Sequence, residues 1–325
     1  MRTATRLGLF AVATAAVFAV AFGAARAFIP AEVSAAPTSD SAEDAMHAHD
    51  TAETDGDQAA TAAGDDVRGL SISHAGYRLS ELRAPDGTGA SGDLSFTLLG
   101  PGAEPLTGYD RAHEKDLHLI VVRTDGAEFR HVHPTTDGAG AWTIPWSWAA
   151  AGTYRVFADF VPTALGDTVT LTSTLEVAGD FAPAPRGADT ATSTDGEVTV
   201  ELDGELVAGA SSELTFAVTR DGEPVTTLEP YLGAYGHLVA LRDGDLAYLH
   251  VHPMGEPADG ETEPGPEITF MAQAPTPGRY LLYLDLQLDG RVHSLPFVVT
   301  ADEADAAASR QSDTDDGRDA HGDEH

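Results

Sequence analysis

The chain is a succession of short segments rich in β-branched and aromatic residues, and Gly, Pro and Asp separate them about every 8 to 12 positions. Residues 94–98, 119–122, 154–158 and 198–202 are examples of such segments. After residue 30, no segment keeps the 3.6-residue period of an amphipathic helix over three turns. The pattern therefore predicts an all-β chain.

The sequence also contains an internal duplication. His118-Leu-Ile-Val-Val-Arg123 corresponds to His237-Leu-Val-Ala-Leu-Arg242, and His131-Val-His-Pro134 corresponds to His250-Val-His-Pro253, both at an offset of 119 residues. Similarity at a fixed offset indicates two copies of one structural unit. We expect one domain over residues 67–180 and a second over residues 192–300, joined by a Pro-rich linker at 181–191.

A Gly-x-Tyr element in each copy indicates the architecture. In immunoglobulin-like sandwiches, a Tyr near the start of strand F lies two residues before an inward core position. Here Tyr154 precedes Val156 and Tyr280 precedes Leu282. We therefore predict two tandem immunoglobulin-like β-sandwich domains without disulfides. The three tryptophans of the first copy are expected to pack in its core or at its rim, and they are Trp142, Trp146 and Trp148.

The N-terminal residues 1–30 have the pattern of an export element. Arg2 and Arg6 precede an apolar run of nineteen residues at 7–25, and small residues around Ala27 suit a signal peptidase. The run is also long enough to span a bilayer as an uncleaved helix. Two alternatives stay open, a membrane anchor or secretion after cleavage near Ala27. Both place the rest of the protein outside the cytoplasm.

Charge and composition exclude several functional classes. The chain carries 18 Lys and Arg against 52 Asp and Glu, for a formal net charge of -34. Such acidity without a basic patch disfavours nucleic acid as a partner. The absence of cysteine excludes thiolate catalysis, Cys-ligated zinc and blue-copper sites. Residues 31–66 and 301–325 are acidic and poor in large apolar residues, so we expect a disordered linker and a disordered tail there.

The histidines of the first copy are predicted to share one face of a β-hairpin. An Asp-Gly pair at 125–126 lies between two β-rich runs and predicts the turn. With this turn centre, facing residues have numbers that sum to 251, so His118 lies opposite His133 and His131 lies opposite Ile120. Side chains alternate along a strand, which places His118, His131 and His133 on the same face. Their imidazoles are then close enough to share a metal ion.

The second copy predicts the same arrangement. A turn centred on 243–244 pairs His237 with His250, and a turn centred on 244–245 pairs His237 with His252. Both registers leave these three histidines on one face. Met254 and His293 are additional candidate ligands, since Met254 follows the His-x-His-Pro motif and His293 is in phase with the apolar residues of the last strand. Imidazole and thioether ligands suit copper or zinc ions.

A structural interpretation of the histidines stays open beside the metal hypothesis. The histidine face also carries Ile120 and Val122, whereas Arg123 and Arg130 lie on the opposite face. We therefore expect the histidines to point inward, into the domain core, where hydrogen bonds alone could explain them. By the same parity, Asp159 and Asp285 are expected to face outward. His74 and His113 are candidates to complete the first site, but a solvated position is favoured for each. The tail histidines lie among acidic residues, where weak metal capture and random surface placement explain them equally well, and they are His47, His49, His321 and His325.

The residues 118–123 running into Phe129-Arg-His-Val-His-Pro134, followed by Gly152-Thr-Tyr-Arg-Val-Phe-Ala-Asp-Phe160, resemble bacterial exported or membrane-anchored proteins with YtkA-like, immunoglobulin-like β-sandwich domains. The resemblance covers residues 67–300. It implies a β-sandwich fold, an extracytoplasmic location and a link to the handling of copper or other heavy metals.

These observations lead to one functional hypothesis and one alternative. The hypothesis is an extracytoplasmic protein that binds copper or zinc for buffering, delivery or resistance, with a membrane metal transporter or another cell-surface protein as its partner. The alternative is a non-catalytic structural or interaction module whose histidines are structural. An enzyme is not expected, because the sequence contains no Ser or Cys nucleophile motif and no Gly-rich phosphate loop.

Overall fold

A computed structural model describes residues 68–185 and 187–303, and all of them belong to a single compact unit. The segment 1–30, the whole acidic linker and nearly all of the acidic tail lie outside the described residues. The predictions of a signal peptide or anchor and of disorder therefore stay predictions. The described residues contain strands and no helix, so none of their segments is a helix long and apolar enough to span a membrane.

The first repeat contains ten strands. They are β1 Ser73–His74, β2 Tyr77–Leu79, β3 Ser91–Leu99, β4 Tyr109–Asp110, β5 His118–Arg123, β6 Arg130–Val132, β7 Thr135–Thr136, β8 Ala141–Ser147, β9 Gly152–Pro162 and β10 Val169–Val177. One sheet has the order β1-β2-β3-β8-β7, and the other has the order β10-β9-β5-β6 with β4 added beside β9. Between these two sheets lies a core that includes all three tryptophans, as predicted.

The second repeat contains nine strands. They are β11 Thr192–Asp195, β12 Val198–Asp203, β13 Ser211–Arg220, β14 Glu223–Pro224, β15 His237–Arg242, β16 His250–Pro253, β17 Glu267–Gln273, β18 Gly278–Leu288 and β19 Arg291–Ala301. One sheet has the order β11-β12-β13-β17-β16 with β14 beside β13, and the other has the order β15-β18-β19. The all-β fold with tandem immunoglobulin-like sandwiches is confirmed.

Both repeats contain the tyrosine corner that the Gly-x-Tyr element predicts. The Tyr154 hydroxyl donates a hydrogen bond to the Ala150 carbonyl at 2.8 Å, and the Tyr280 hydroxyl donates to the Thr276 carbonyl at 2.7 Å. Val156 and Leu282, two residues further along, are fully buried in the cores of their own repeats. The sequence pattern therefore located the start of the corresponding strand in both sandwiches.

The predicted register of the first hairpin is correct. Strand β5 pairs with β6 through Leu119 opposite Val132, Ile120 opposite His131 and Val121 opposite Arg130, each pair summing to 251. Side chains of β5 that flank Ile120 in sequence point into the core of the first sandwich, whereas Ile120 and His118 point away from it. Strand β5 therefore presents the histidine face to something other than its own core.

The histidine face of the first repeat packs against the second repeat, which corrects the prediction that it points into its own domain. Ile120, Val122 and Phe157 form one apolar cluster with side chains of the second repeat. The members from the second repeat are Val239, Leu241, Leu246, Leu281 and Tyr283. The buried histidine face is thus an interface between two sandwiches.

Aromatic and polar contacts also cross this interface. Phe129 stacks on Tyr283 with ring centroids 3.9 Å apart and an interplanar angle of 2°. The Tyr283 hydroxyl donates a hydrogen bond of 2.6 Å to the carbonyl of Gly126, in the turn after β5. Stacked rings and a directed hydrogen bond fix the orientation of the two repeats relative to each other. This orientation determines which side chains meet at the end of the interface where the histidines lie.

The second hairpin differs from the first. Close to the turn, its residues pair in the register predicted for a turn centred on 244–245, with a bridge between Leu241 and Tyr248. Beyond this bridge, β16 joins the opposite sheet and pairs with β17, so the backbone of His250 lies opposite Gln273 and that of His252 lies opposite Met271. The expectation that the whole second hairpin repeats the pairing of the first is therefore wrong.

Candidate metal centre

Three imidazoles of the first repeat converge on one point. His118 Nδ1 lies 3.0 Å from His131 Nε2 and 3.1 Å from His133 Nε2. Ligand atoms of the three residues all lie within 4.8 Å of one another. Two nitrogens that bind one ion at about 2.0–2.1 Å with a tetrahedral angle are about 3.3 Å apart. The observed separations are close to this value.

The outward nitrogens of two of these rings are held as hydrogen-bond donors. His118 Nε2 donates to the carbonyl of Ala112 at 3.0 Å, and His131 Nδ1 donates to Asp285 Oδ2 at 2.9 Å. Metal-binding histidines in proteins typically donate their second ring N–H to a carbonyl or a carboxylate in this way. These bonds set the tautomers, because a neutral imidazole that donates from one nitrogen carries a lone pair on the other.

The tautomers make the convergent nitrogens electron donors. His118 Nδ1 has a single lone pair, yet the ring nitrogens of both His131 and His133 approach it. Because His131 Nε2 also carries a lone pair in its tautomer, its approach to His118 Nδ1 at 3.0 Å is not a hydrogen bond. An ion placed between the rings instead receives one lone pair from each of the three nitrogens. The donor set therefore fits a metal ion that prefers nitrogen ligands, such as zinc or copper.

Ring positions agree with this interpretation. The centroid separations within the triad are 5.3 Å for His118 and His131, 4.9 Å for His118 and His133, and 5.1 Å for His131 and His133. Two imidazoles bound to one tetrahedral ion at about 2.0–2.1 Å have ring centroids about 5 Å apart. All three pairs therefore lie at the spacing that shared coordination requires.

Burial keeps His118 and His133 of the triad, and the neighbouring His237, neutral. Burial, together with the neighbouring His131, lowers the pKa of His118 to about 3. Burial and the same neighbour lower the pKa of His133 to about 3, and burial lowers the pKa of His237 to about 4. Only the neutral form of an imidazole binds a metal, so these pKa values keep the nitrogens available near neutral pH.

We expect the metal-free protein to lose stability on acidification from pH 7 to pH 5. The pKa of His118 falls from an ordinary value of 6.5 in the unfolded chain to about 3 in the folded protein, so the unfolded state takes up protons first. For a lowered histidine pKa, stability is greatest above pH 6.5 and declines as the pH falls towards 3. His118 alone contributes a loss of about 2 kcal/mol by pH 5.

Urea denaturation of the chelator-treated protein at pH 7, 6 and 5 measures this loss. His118→Gln replaces the titrating ring by a neutral amide and is expected to reduce the loss by about 2 kcal/mol, while His133 and His237, whose pKa values are also lowered, retain their share. An equally steep decline in His118→Gln would contradict the assignment to this residue.

A cavity of about 140 Å³ adjoins the triad and is lined by both repeats. Its walls include His118 and His131 from the first repeat and His237 and His252 from the second. Asp159 also lines it, where burial raises the pKa of its carboxyl to about 6 and the Thr170 hydroxyl donates to it at 2.6 Å. The carboxylates of Asp159 and Asp285 supply negative charge beside the imidazoles, which favours a cation.

The structure brings some of the other sequence candidates to this cavity and places others elsewhere. His237 is buried beside the triad, and His252 lies at the cavity wall. Met254 is half exposed and lines a different hollow. His293 is buried, but its Nδ1 donates to Asp195 Oδ2 at 2.8 Å, away from the cavity. Among the side chains described, only His118, His131 and His133 bring three ligand atoms together.

Two residues near the triad had been assigned other roles from the sequence. Asp285 was expected to face outward; it points away from its own core, as its parity requires, but into the interface, where its side chain is 5% exposed. His113 was expected to be solvated; it is solvent-accessible, and its ring also lies 5.9 Å from that of His118. The sequence of strand β5 contains a signal that its histidine face is covered. Its apolar run Leu119 to Val122 is continuous, which is typical of a strand buried on both faces.

Family comparison agrees with the duplicated architecture. A family model described as a domain of unknown function, DUF8832, matches residues 73–179 and again residues 191–303. The chain belongs to this family. Each DUF8832 repeat contains one sandwich, and the triad lies in the first. The matching family model is that of DUF8832 and not that of YtkA-like proteins, so the resemblance to YtkA-like proteins stays an expectation. No curated protein matches the sequence.

Several solved structures are similar to the DUF8832 tandem at low identity. The D00-D0 domain of intimin is 12% identical, with 68% of this chain and 98% of that chain covered and a TM-score of 0.21. Domains 4 and 5 of the S-layer protein SbsC are 12% identical, with 71% and 100% covered and a TM-score of 0.20. Alpha-2-macroglobulin from Escherichia coli is 16% identical, with 70% and 20% covered and a TM-score of 0.23.

Proposed function

We propose that the protein binds a divalent zinc or copper ion through His118, His131 and His133. The observation that carries the proposal is the convergence of three imidazole nitrogens, two of which, on His118 and His131, have their tautomers set by outer hydrogen bonds. Three neutral nitrogen ligands suit zinc and copper better than ions that prefer oxygen. Met254 lies outside the cluster, so the ligand set consists of nitrogen rather than sulfur.

The proposed role is buffering or delivery of this ion outside the cytoplasm. The apolar run at residues 7–25 supports export, and the acidic surface of the chain attracts cations. A membrane metal transporter or another cell-surface protein is the partner that such a role requires. We propose a binding protein rather than an enzyme, because the sequence offers no nucleophile motif and no carboxylate pair at a recognisable spacing.

Calorimetric titration and elemental analysis of the full chain test the proposal. After chelator treatment, the protein is expected to take up zinc or copper(II) at the triad and to melt at a higher temperature with the ion bound. An ion present at 100 times its dissociation constant stabilises the folded state by about 2.7 kcal/mol. The triple variant His118→Ala, His131→Ala, His133→Ala is expected to lose one bound ion per chain and most of the added stability.

The structural alternative predicts a different result from the same experiment. His131 joins the two repeats through its bond to Asp285, so replacement of the histidines would lower the melting temperature without any metal. If the triple variant binds as many ions as the native protein and chelators leave the native melting temperature unchanged, the histidines are structural and the proposal fails.

A further inference from the structure

A tight turn next to the triad differs between the two repeats. Ala112 and Lys115 exchange two backbone hydrogen bonds, and His113 and Glu114 between them have φ values of 48° and 63°. Positive φ at both central residues is the geometry of a type I′ turn, which favours Asn and Gly rather than His and Glu. The matching turn of the second repeat runs from Tyr231 to Ala234 with Leu232 and Gly233 at its centre.

His113 thus occupies a strained position that the second repeat fills with leucine. Leu232 has a similar φ of 56°, so the turn itself accounts for the backbone conformation, and the imidazole is what distinguishes the first repeat. At this position the imidazole reaches the opening of the cavity, where it remains accessible to solvent. His113 is therefore placed to meet an incoming ion.

The ring of His113 lies next to that of His237 from the other repeat. Their centroids are 5.1 Å apart, with an interplanar angle of 82°. This separation falls within the 4.9 to 5.3 Å range of the three ring pairs in the triad. It equals the spacing of about 5 Å expected for two imidazoles on one ion. The ring separation therefore permits one ion to be shared by the pair.

His237 also repeats the outer hydrogen bond of His118. Its Nε2 donates to the carbonyl of Tyr231 at 2.8 Å, just as His118 Nε2 donates to the carbonyl of Ala112. Each carbonyl belongs to the first residue of the type I′ turn in its own repeat. This bond leaves the lone pair of His237 on its Nδ1 atom. In His118, the corresponding Nδ1 atom is the one that faces the other two rings of the triad.

We propose that His113 and His237 form a second metal position, with one ligand from each repeat, at the opening of the cavity beside the triad. This inference deepens the proposed function and rests on it. The ring of His113 lies 5.9 Å from that of His118, and the ring of His237 lies 6.4 Å from that of His131. The two positions are therefore adjacent. An ion captured at the accessible pair is within reach of the buried triad, and His252 lies on the wall of the same cavity.

Copper(II) titration of the full chain followed by electron paramagnetic resonance tests the inference. The native protein is expected to bind one more copper(II) ion than the double variant His113→Gln, His237→Gln. With both positions filled, the spectrum is expected to show dipolar broadening from two neighbouring ions. The double variant is expected to keep the triad ion with an unbroadened spectrum. Ions bound by the tail histidines contribute equally to both proteins and cancel in the comparison.

The outcomes separate this inference from the proposed function. If the double variant binds as many ions as the native protein, or if the native spectrum is unbroadened at full loading, the second position is wrong while the triad stands. If replacing the triad changes nothing, the proposed function fails. The variant His293→Gln, which alters a buried histidine away from the cavity, serves as the matched control and is expected to match the native protein in both measurements.

Discussion

Replacing His118 by alanine is expected to weaken zinc or copper(II) binding at the triad about 100- to 1000-fold. The ring nitrogens of His131 and His133 both approach His118 Nδ1. Removal of His118 therefore leaves the ion with two of its three nitrogen ligands. Structural zinc sites with four ligands bind with about 10–16 kcal/mol, which is about 2.5–4 kcal/mol for each ligand. Competition titration against a chelator of known affinity measures the change.

A matched control is available in the second repeat. His293 is as buried as His118 and also makes a hydrogen bond through a ring nitrogen, but it lies away from the triad. His293→Ala is expected to lower the melting temperature and to leave the affinity unchanged. Equal losses of affinity in His118→Ala and His293→Ala would show that general destabilisation, rather than ligand removal, weakens binding.

Replacing Asp285 by asparagine is expected to lower the affinity of the triad about 10- to 100-fold, although Asp285 is not a ligand. Its carboxylate accepts the His131 Nδ1 hydrogen bond at 2.9 Å, and both side chains are 5% exposed. Outer-shell carboxylates orient the ligating ring and raise its basicity, and their loss typically has an effect of this size. Because Asp285 belongs to the second repeat, the result would show that one repeat tunes the site of the other.

Asp195→Asn provides the corresponding control. Asp195 accepts a hydrogen bond of 2.8 Å from His293 Nδ1, so it repeats the carboxylate–imidazole pair outside the site. Its replacement is expected to leave metal affinity within twofold of the native value. Unchanged affinity in Asp285→Asn, measured by the same competition titration, would mean that the carboxylate holds the repeats together without influencing the ligand.

The local geometry of the triad could be predicted from the sequence because it depends on one hairpin. The Asp-Gly pair at 125–126 sets the turn, the turn sets the register, and the register places His118, His131 and His133 on one face. Each step depends on residues close together in the chain. Local turn chemistry and side-chain alternation were therefore sufficient.

What covers the histidine face could not be derived in the same way. Parity shows that Ile120 and His118 share a face, but it does not distinguish the core of the same sandwich from the surface of another. In the structure the face is covered by the surface of the other sandwich, since Ile120 and Phe157 pack against Leu241 and Tyr283. The contact depends on how two whole sheets meet, which no short segment of sequence encodes.

The second hairpin shows a further limit of reasoning from repeats. His250 and His252 match His131 and His133 in sequence, yet β16 pairs with β17 in the opposite sheet. Similar residues at the same offset can therefore follow different hydrogen-bond ladders. The converse applies to His113, which has no histidine counterpart in the second repeat and so gave no signal as a repeated feature.

The shared apolar cluster has a consequence for how the chain folds. Ile120, Val122 and Phe157 are fully buried only because the second repeat covers them. Separated from its neighbour, the first sandwich would expose these side chains to water at a cost of about 1.5–3 kcal/mol for each one. We therefore expect the two sandwiches to unfold together as one cooperative unit, since each covers apolar side chains of the other.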